Sequence, residues 1–177
     1  MAGRVGLAAR RPPGLKIYRQ LCSPEEVAAL REQCRSLPPP PNNPLFRYFG
    51  AFPPGPHVED VADWMPMWGD RMLSRGLFKH APNQYRVCNW IGDLSAQFKW
   101  HTDADRHGER ILVISLTDGR SIGFRPRGER AEPYVLRLDA GDGYLIRATA
   151  RWQWEHRVMP VGHGRDGGES FVLAYKR

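Results

Sequence analysis

Cysteine is scarce: Cys22, Cys34 and Cys88 are the only three in 177 residues. An odd number, scattered and without Cys-x-x-Cys spacing, suggests neither a disulfide framework nor a zinc site, and fits a reducing, cytoplasmic setting. Long apolar runs are missing as well. None approaches the roughly 20 residues that span a bilayer, so a soluble protein with no membrane partner is expected. The first eleven residues, Met-Ala-Gly-Arg-Val-Gly-Leu-Ala-Ala-Arg-Arg, lack the apolar stretch of a secretory signal. We read residues 1–14 as a flexible start. No internal repeat and no interior linker divides the remainder, which predicts one domain over 15–177 and a monomer.

Negative charge is in deficit. Nineteen Asp and Glu stand against 26 Lys and Arg, for a formal net charge of +7 and an isoelectric point near 9.7. Arg125, Arg127, Arg130, Arg147, Arg151 and Arg157 fall in one stretch. Such a balance attracts phosphates, so nucleic acid or a nucleotide is the partner expected, with an ordinary solvated basic surface as the alternative.

Ser23-Pro24-Glu25-Glu26 carries the signals of a helix start: a capping serine, proline in the first turn and glutamate three residues after the cap. Val27, Leu30, Cys34 and Leu37 follow at helical spacing, and the proline run 38–41 ends the helix. A second helix is predicted over 61–77, with Pro66 interrupting it or marking its true start near Trp68. From Gln84 onward the pattern becomes short strand-type runs at 85–91, 110–116, 121–127, 134–138, 144–147 and 170–176. Asp118-Gly119 and the segment 139–143 have turn chemistry that favours antiparallel pairing. Helices ahead of antiparallel strands predict an α+β, mostly β chain: a double-sheet barrel with the N-terminal helices packed on one sheet.

Trp100-His101-Thr102-Asp103 carries the most chemical content. On a strand, residues two apart share a face, so His101 and Asp103 offer an imidazole nitrogen and a carboxylate oxygen to one ion. His156, in Trp154-Glu155-His156-Arg157-Val158, is the candidate third ligand. Two histidines and one carboxylate on a single face of an octahedron leave three positions for a chelating cosubstrate and oxygen, the requirement of non-haem Fe(II).

Around these residues the chain resembles the AlkB family, from about Leu15 to the C-terminus. Val87-Cys88-Asn89-Trp90-Ile91 followed by Trp100-His101-Thr102-Asp103-Ala104-Asp105 is similar to the family's Asn-x-Tyr segment and its His-x-Asp-x-Asp, with twelve residues from Asn89 to His101. Ile114-Ser115-Leu116, Phe124-Arg125-Pro126-Arg127, Gly141-Asp142, Trp154-Glu155-His156-Arg157-Val158 and a last strand over 171–176 come in the family's order. The resemblance implies a double-stranded β-helix, a jelly-roll or cupin-like barrel, and an enzyme that uses Fe(II), 2-oxoglutarate and O2 to hydroxylate a carbon. In that family the carbon is commonly an N-methyl group on a nucleobase, whose hydroxylation leads to demethylation. It also implies Asp105 as a contact to the target base; separately, as one of the chain's tryptophans, Trp100 is expected in the cavity wall near the iron. Arg47, Tyr48 and Phe49 are expected to stack a base and touch a phosphate.

The family's cosubstrate residues are altered. Asn89 is kept, Ile91 replaces the tyrosine, and the last-strand Arg-x-Asn-x-Thr-x-Arg aligns with Ser170, Val172, Ala174 and Lys176. Lys176 or Arg177 is the cation expected for the cosubstrate, beside Asn89 and Ser170, although a lysine lacks arginine's two-pronged grip. The alternatives are a small-molecule hydroxylase acting on a nucleoside, amino acid or peptide, and a catalytically silent binding module on the same scaffold.

Overall fold

The computed structural model describes residues 9–38, 46–51, 61–89, 99–159 and 168–177. A short strand, β1 (Lys16–Tyr18), precedes helix α1 (Pro24–Ser36), and β2 (Phe46–Ala51) precedes helix α2 (Trp64–Ser74). The remaining strands are β3 (Gln84–Asn89), β4 (Arg110–Ser115), β5 (Arg120–Pro126), β6 (Tyr134–Leu138), β7 (Gly143–Arg147), β8 (Trp154–Val158) and β9 (Glu169–Tyr175), with a one-turn helix α3 (Thr149–Trp152) after β7.

Helix α1 forms as its sequence predicts. Ser23 Oγ accepts from the Glu26 amide at 3.3 Å, and Glu26 Oε2 accepts from the Ser23 amide at 2.8 Å, which satisfies two otherwise orphan donors. Helix α2 departs from expectation. It starts at Trp64, and Pro66 sits inside its first turn, where the missing N–H has no intrahelical acceptor to lose. Proline therefore neither interrupts the helix nor delays it to Trp68.

The strands form two antiparallel sheets, one ordered β1-β7-β4-β9-β3-β2 and one ordered β6-β5-β8. Alternation along each strand of the large sheet divides its side chains between two buried faces. Leu112, Ile114, Phe171, Leu173, Tyr85 and Val87 join Leu30, Met65 and Met72 of the helices in one apolar cluster. Ile111, Val113, Tyr144, Ile146 and Val172 face Ile122, Phe124, Leu136 and Val158 of the small sheet in the other. Burial on both faces explains why β4 and β9 read as continuous apolar runs rather than alternating ones.

Sequence reasoning missed β1, β2 and β8. β8 is only half-buried except at Val158, and its central Glu155-His156-Arg157 hides the alternation by which strands are recognised. The start of the described chain is tied down: the Leu15 amide donates to Pro12 O at 3.1 Å and the Ala150 amide to Pro13 O at 2.8 Å. No helix among the described residues is long and apolar enough to cross a membrane. All three cysteines are buried thiols.

Candidate metal centre and its cavity

His101 and His156 are joined through their backbones. The His101 amide donates to His156 O at 3.1 Å and the His156 amide to His101 O at 2.9 Å, so a single bridge extends the small sheet beyond β8. The rings lie 4.5 Å apart between centroids. Asp103 lies past this bridge, in the loop that leads to a 3-10 turn at Asp105–His107. The expected strand-type alternation thus does not place it; the path of the loop does. One donor atom from each of His101, Asp103 and His156 lies within 4.8 Å of the others.

The donor set has the chemistry a divalent ion needs. His101 Nδ1 lies 3.0 Å from Lys99 O, and because a carbonyl only accepts, Nδ1 carries a proton there, which makes Nε2 the ring nitrogen to offer a metal. His156 Nε2 lies 3.6 Å from Asp103 Oδ2 and so points into the same space. Burial pulls the His156 pKa down to about 4, against the attraction of Asp103, leaving a neutral imidazole at pH 7. For Asp103 burial alone acts upward, yet Arg86 and the neighbouring imidazoles hold the carboxyl well below the usual carboxylate range. Two imidazoles and one carboxylate fit Fe(II) coordination.

Two arginines position Asp103. Arg86, buried on β3, donates from Nη1 to Asp103 Oδ1 at 3.3 Å. Arg151 of α3 is 1% exposed and grips the loop backbone, with Nε on Gly108 O, Nη1 on Asp103 O and Nη2 on Ala104 O, each at 2.8 Å. The turn depends on Gly108, whose φ is +80° and whose added Cβ would lie 1.9 Å from Tyr175 O.

Beside the triad, between the sheets, lies a small cavity of about 60 Å³. Ile111, Val113, Ile122, Ile146, Val158 and Val172 make its walls apolar, whereas Arg86, Arg120, Tyr144 and Ser170 are polar lining residues besides the triad. Of the expected cosubstrate residues, Ser170 lines it. Lys176 and Arg177 do not. They are exposed beyond the other end of β9, where the backbone of Lys176 is paired with the Asn83 side chain. Six residue steps lead from Ser170 to Lys176, roughly 20 Å at the usual rise. Asn89 ends β3 opposite Glu169, and its side chain lies outside the described residues, as does Ile91.

The expected substrate residues are dispersed. Asp105 is exposed on the turn after Asp103. Trp100 does not line the cavity: it packs where a Cβ on Gly123 would stand 2.9 Å from its ring, with the guanidinium carbons of Arg125 and Arg157 4.3 and 5.3 Å from the ring centre. Gly123 and Arg125 alternate with inward-facing Ile122 and Phe124, so Trp100 covers the outer face of β5 while His101 faces in. Arg47, Tyr48 and Phe49 belong to β2, which pairs with β3 at the edge of the large sheet; their side chains lie outside the described residues. The arginine stretch is not one surface. Arg151 is internal and Arg125 pairs with Glu155 at 2.9 Å, whereas Arg127 and Arg130 are exposed.

Sequence reasoning passed over Arg86, Arg120 and the internal role of Arg151. A signal existed for the first two: each is a lone charge at an inward position of a strand whose alternate neighbours, Cys88 for one and Ile122 for the other, are buried.

No family model and no curated protein sequence matches the chain. Solved structures do. The structure of OsALKBH1 shares 11% identity at a TM-score of 0.61 and covers 94% of this chain and 100% of its own. A Pseudomonas putida prolyl-4-hydroxylase shares 14% identity at 0.60, covering 93% of this chain and 88% of its own. An oxidoreductase of the 2OG-Fe(II) oxygenase family from Burkholderia pseudomallei shares 16% identity at 0.60, covering 92% of this chain and 84% of its own. Likeness over nearly the whole of each chain, at so low an identity, is likeness of architecture: this chain has the double-stranded β-helix fold.

Proposed function

We propose that the chain is an Fe(II)- and 2-oxoglutarate-dependent dioxygenase that hydroxylates, and thereby demethylates, a modified nucleobase in nucleic acid or a nucleotide. The observation that carries the reading is the convergence of His101, Asp103 and His156 within 4.8 Å at a cavity lined by two buried arginines. Fold alone does not establish activity, but a facial set of two imidazoles and a carboxylate beside a cavity for an anionic chelator is specific chemistry. When bound, iron, 2-oxoglutarate and O2 supply the oxidant that inserts oxygen into a C–H bond.

The residues of the chain do the rest. Lys99 O holds the proton on His101 Nδ1, Arg86 keeps Asp103 ionised and fixes one of its oxygens, and Arg151 holds the backbone from which that carboxylate projects. The apolar walls would keep water away from the metal side of the cavity. An anaerobic Fe(II) titration with and without 2-oxoglutarate, followed through the visible charge-transfer band of the chelate, tests the reading; no band at saturating iron and cosubstrate sinks it.

A basic cleft at the ends of β4, β7 and β9 supports a nucleic-acid substrate. Lys79, Arg110, Arg147 and Arg177 line it beside Trp152, a 40%-exposed aromatic. Phosphate contacts with an adjacent stacking surface are the usual means of holding a single strand. Fluorescence anisotropy with an oligonucleotide across a salt series checks this: absent or salt-independent binding removes the polymer substrate. A small-molecule hydroxylase is the second reading, favoured by the equally similar prolyl-4-hydroxylase.

A further inference from the structure

Resting on the 2-oxoglutarate reading above, we infer that Arg120 anchors the distal carboxylate of the cosubstrate, with Tyr144 and Ser170 beside it, in place of a cation from the last strand. The assignment follows from strand register. Arg120, Ile122 and Phe124 alternate along β5, and all three are buried, at 4%, 2% and 1% exposure, on the face turned to the cavity. Phe124 pairs across the sheet with the metal-side His156. Arg120 starts four residues before it, about 13 Å along the strand. The combined reach of a five-carbon diacid and an arginine side chain is on the scale of that distance.

The guanidinium is held in place. Its Nη1 donates to Glu169 O at 3.1 Å, which puts it next to Ser170, and it lies close enough to Tyr144 and Cys88 to act on both electrostatically. Gly168 makes room for the stem: a Cβ there would stand 2.7 Å from Arg120 Cδ. The far part of the cavity therefore gathers a fork-shaped cation and two hydroxyl groups, the donor set that recognises a carboxylate. Arg86 is placed otherwise, on Asp103, and Lys176 and Arg177 lie beyond the opposite end of β9.

The test uses the full chain loaded anaerobically with Fe(II), titrated with 2-oxoglutarate and separately with pyruvate, which presents the same chelating 2-oxo acid without a distal carboxylate. Both are read by the charge-transfer band, so turnover is not required. Arg120→Gln is expected to raise the 2-oxoglutarate Kd on the order of 10- to 100-fold, the effect of losing a charge-assisted pair. It should leave the weaker pyruvate affinity and the Fe(II) affinity unchanged. Lys176→Ala and Arg177→Ala should change neither. Unchanged 2-oxoglutarate affinity in Arg120→Gln, or an equal loss for both acids, overturns the assignment of Arg120 but leaves the dioxygenase reading intact. No band in the wild-type protein with either acid overturns that reading and the anchor with it. Should Arg120→Gln fail to fold, Arg120→Lys carries the same comparison: a loss confined to 2-oxoglutarate supports the anchor, and an equal loss for both acids overturns it.

Discussion

Replacing Arg151 by Met removes the clamp on the metal loop while keeping much of the side chain's apolar volume. The guanidinium makes three hydrogen bonds of 2.8 Å to Asp103 O, Ala104 O and Gly108 O from a position 1% exposed. Hydrogen bonds from a charged donor each contribute roughly 1.5–3 kcal/mol. The three are not lost in full, because Ala104 is exposed and water can reach its carbonyl, whereas Gly108 is buried and its carbonyl is left without that donor. A net loss of about 2–4 kcal/mol in stability follows, within the range for breaking a buried polar network. The functional effect should be sharper. The loop so released carries Asp103, and loss of an outer partner that orients a ligand typically weakens metal binding 10- to 100-fold. Arg151→Lys, which cannot reproduce the three-way geometry, should fall between. Urea unfolding of the metal-free protein and Fe(II) competition against a chelator measure the two effects. Iron affinity within threefold of wild type in Arg151→Met, with a stability loss under about 1 kcal/mol, would refute the clamp.

Three further outcomes follow from the geometry. His101→Ala and His156→Ala should each abolish stoichiometric Fe(II) binding while retaining the far-ultraviolet circular dichroism of the fold; retained iron in either removes that residue from the ligand set. Burial, reinforced by Arg86, pulls the His107 pKa down to about 3, below its ordinary value of 6.5. The unfolded chain then takes up the proton first, so the stability contribution is complete above about pH 6.5 and is lost as pH falls toward 3, by up to roughly 1.4 kcal/mol per pH unit. His107→Gln should flatten the fall in urea midpoint of the metal-free protein between pH 7 and 5, and an unchanged slope would count against it. Gly108→Ala should cost at least about 2 kcal/mol, since the residue needs both a positive φ and the space that Tyr175 O occupies; a melting temperature within a degree of wild type would contradict that.

Local chemistry was legible in the sequence. The capping box at Ser23 and Glu26 set the start of α1, and the turn residues at 118–119 and 139–143 separated strands that match β4 to β7 within a residue or two. The ligand candidates His101, Asp103 and His156 could be named from their local patterns, and the structure brings them together. These features depend on neighbours in the chain, so the chain carries them.

Which charge serves the cavity was decided by the tertiary structure. Period-two alternation tells which residues share a face, but not which end of a strand lies near the metal. Lys176 and Arg177 were plausible anchors by position in the last strand, and register places them beyond its far end. Arg120 adjoins a predicted turn and drew no assignment from the sequence, while closure of the two sheets buries it in the cavity. Trp100 and His101 are adjacent in sequence, and the pleat sends one to the outer face of β5 and the other toward Asp103. Arg151 looked like one more basic surface residue, and folding turned it into the support of the metal loop. A charged residue takes its role from what surrounds it after folding, because burial and partner geometry, not its place in the chain, set the energy of its charge.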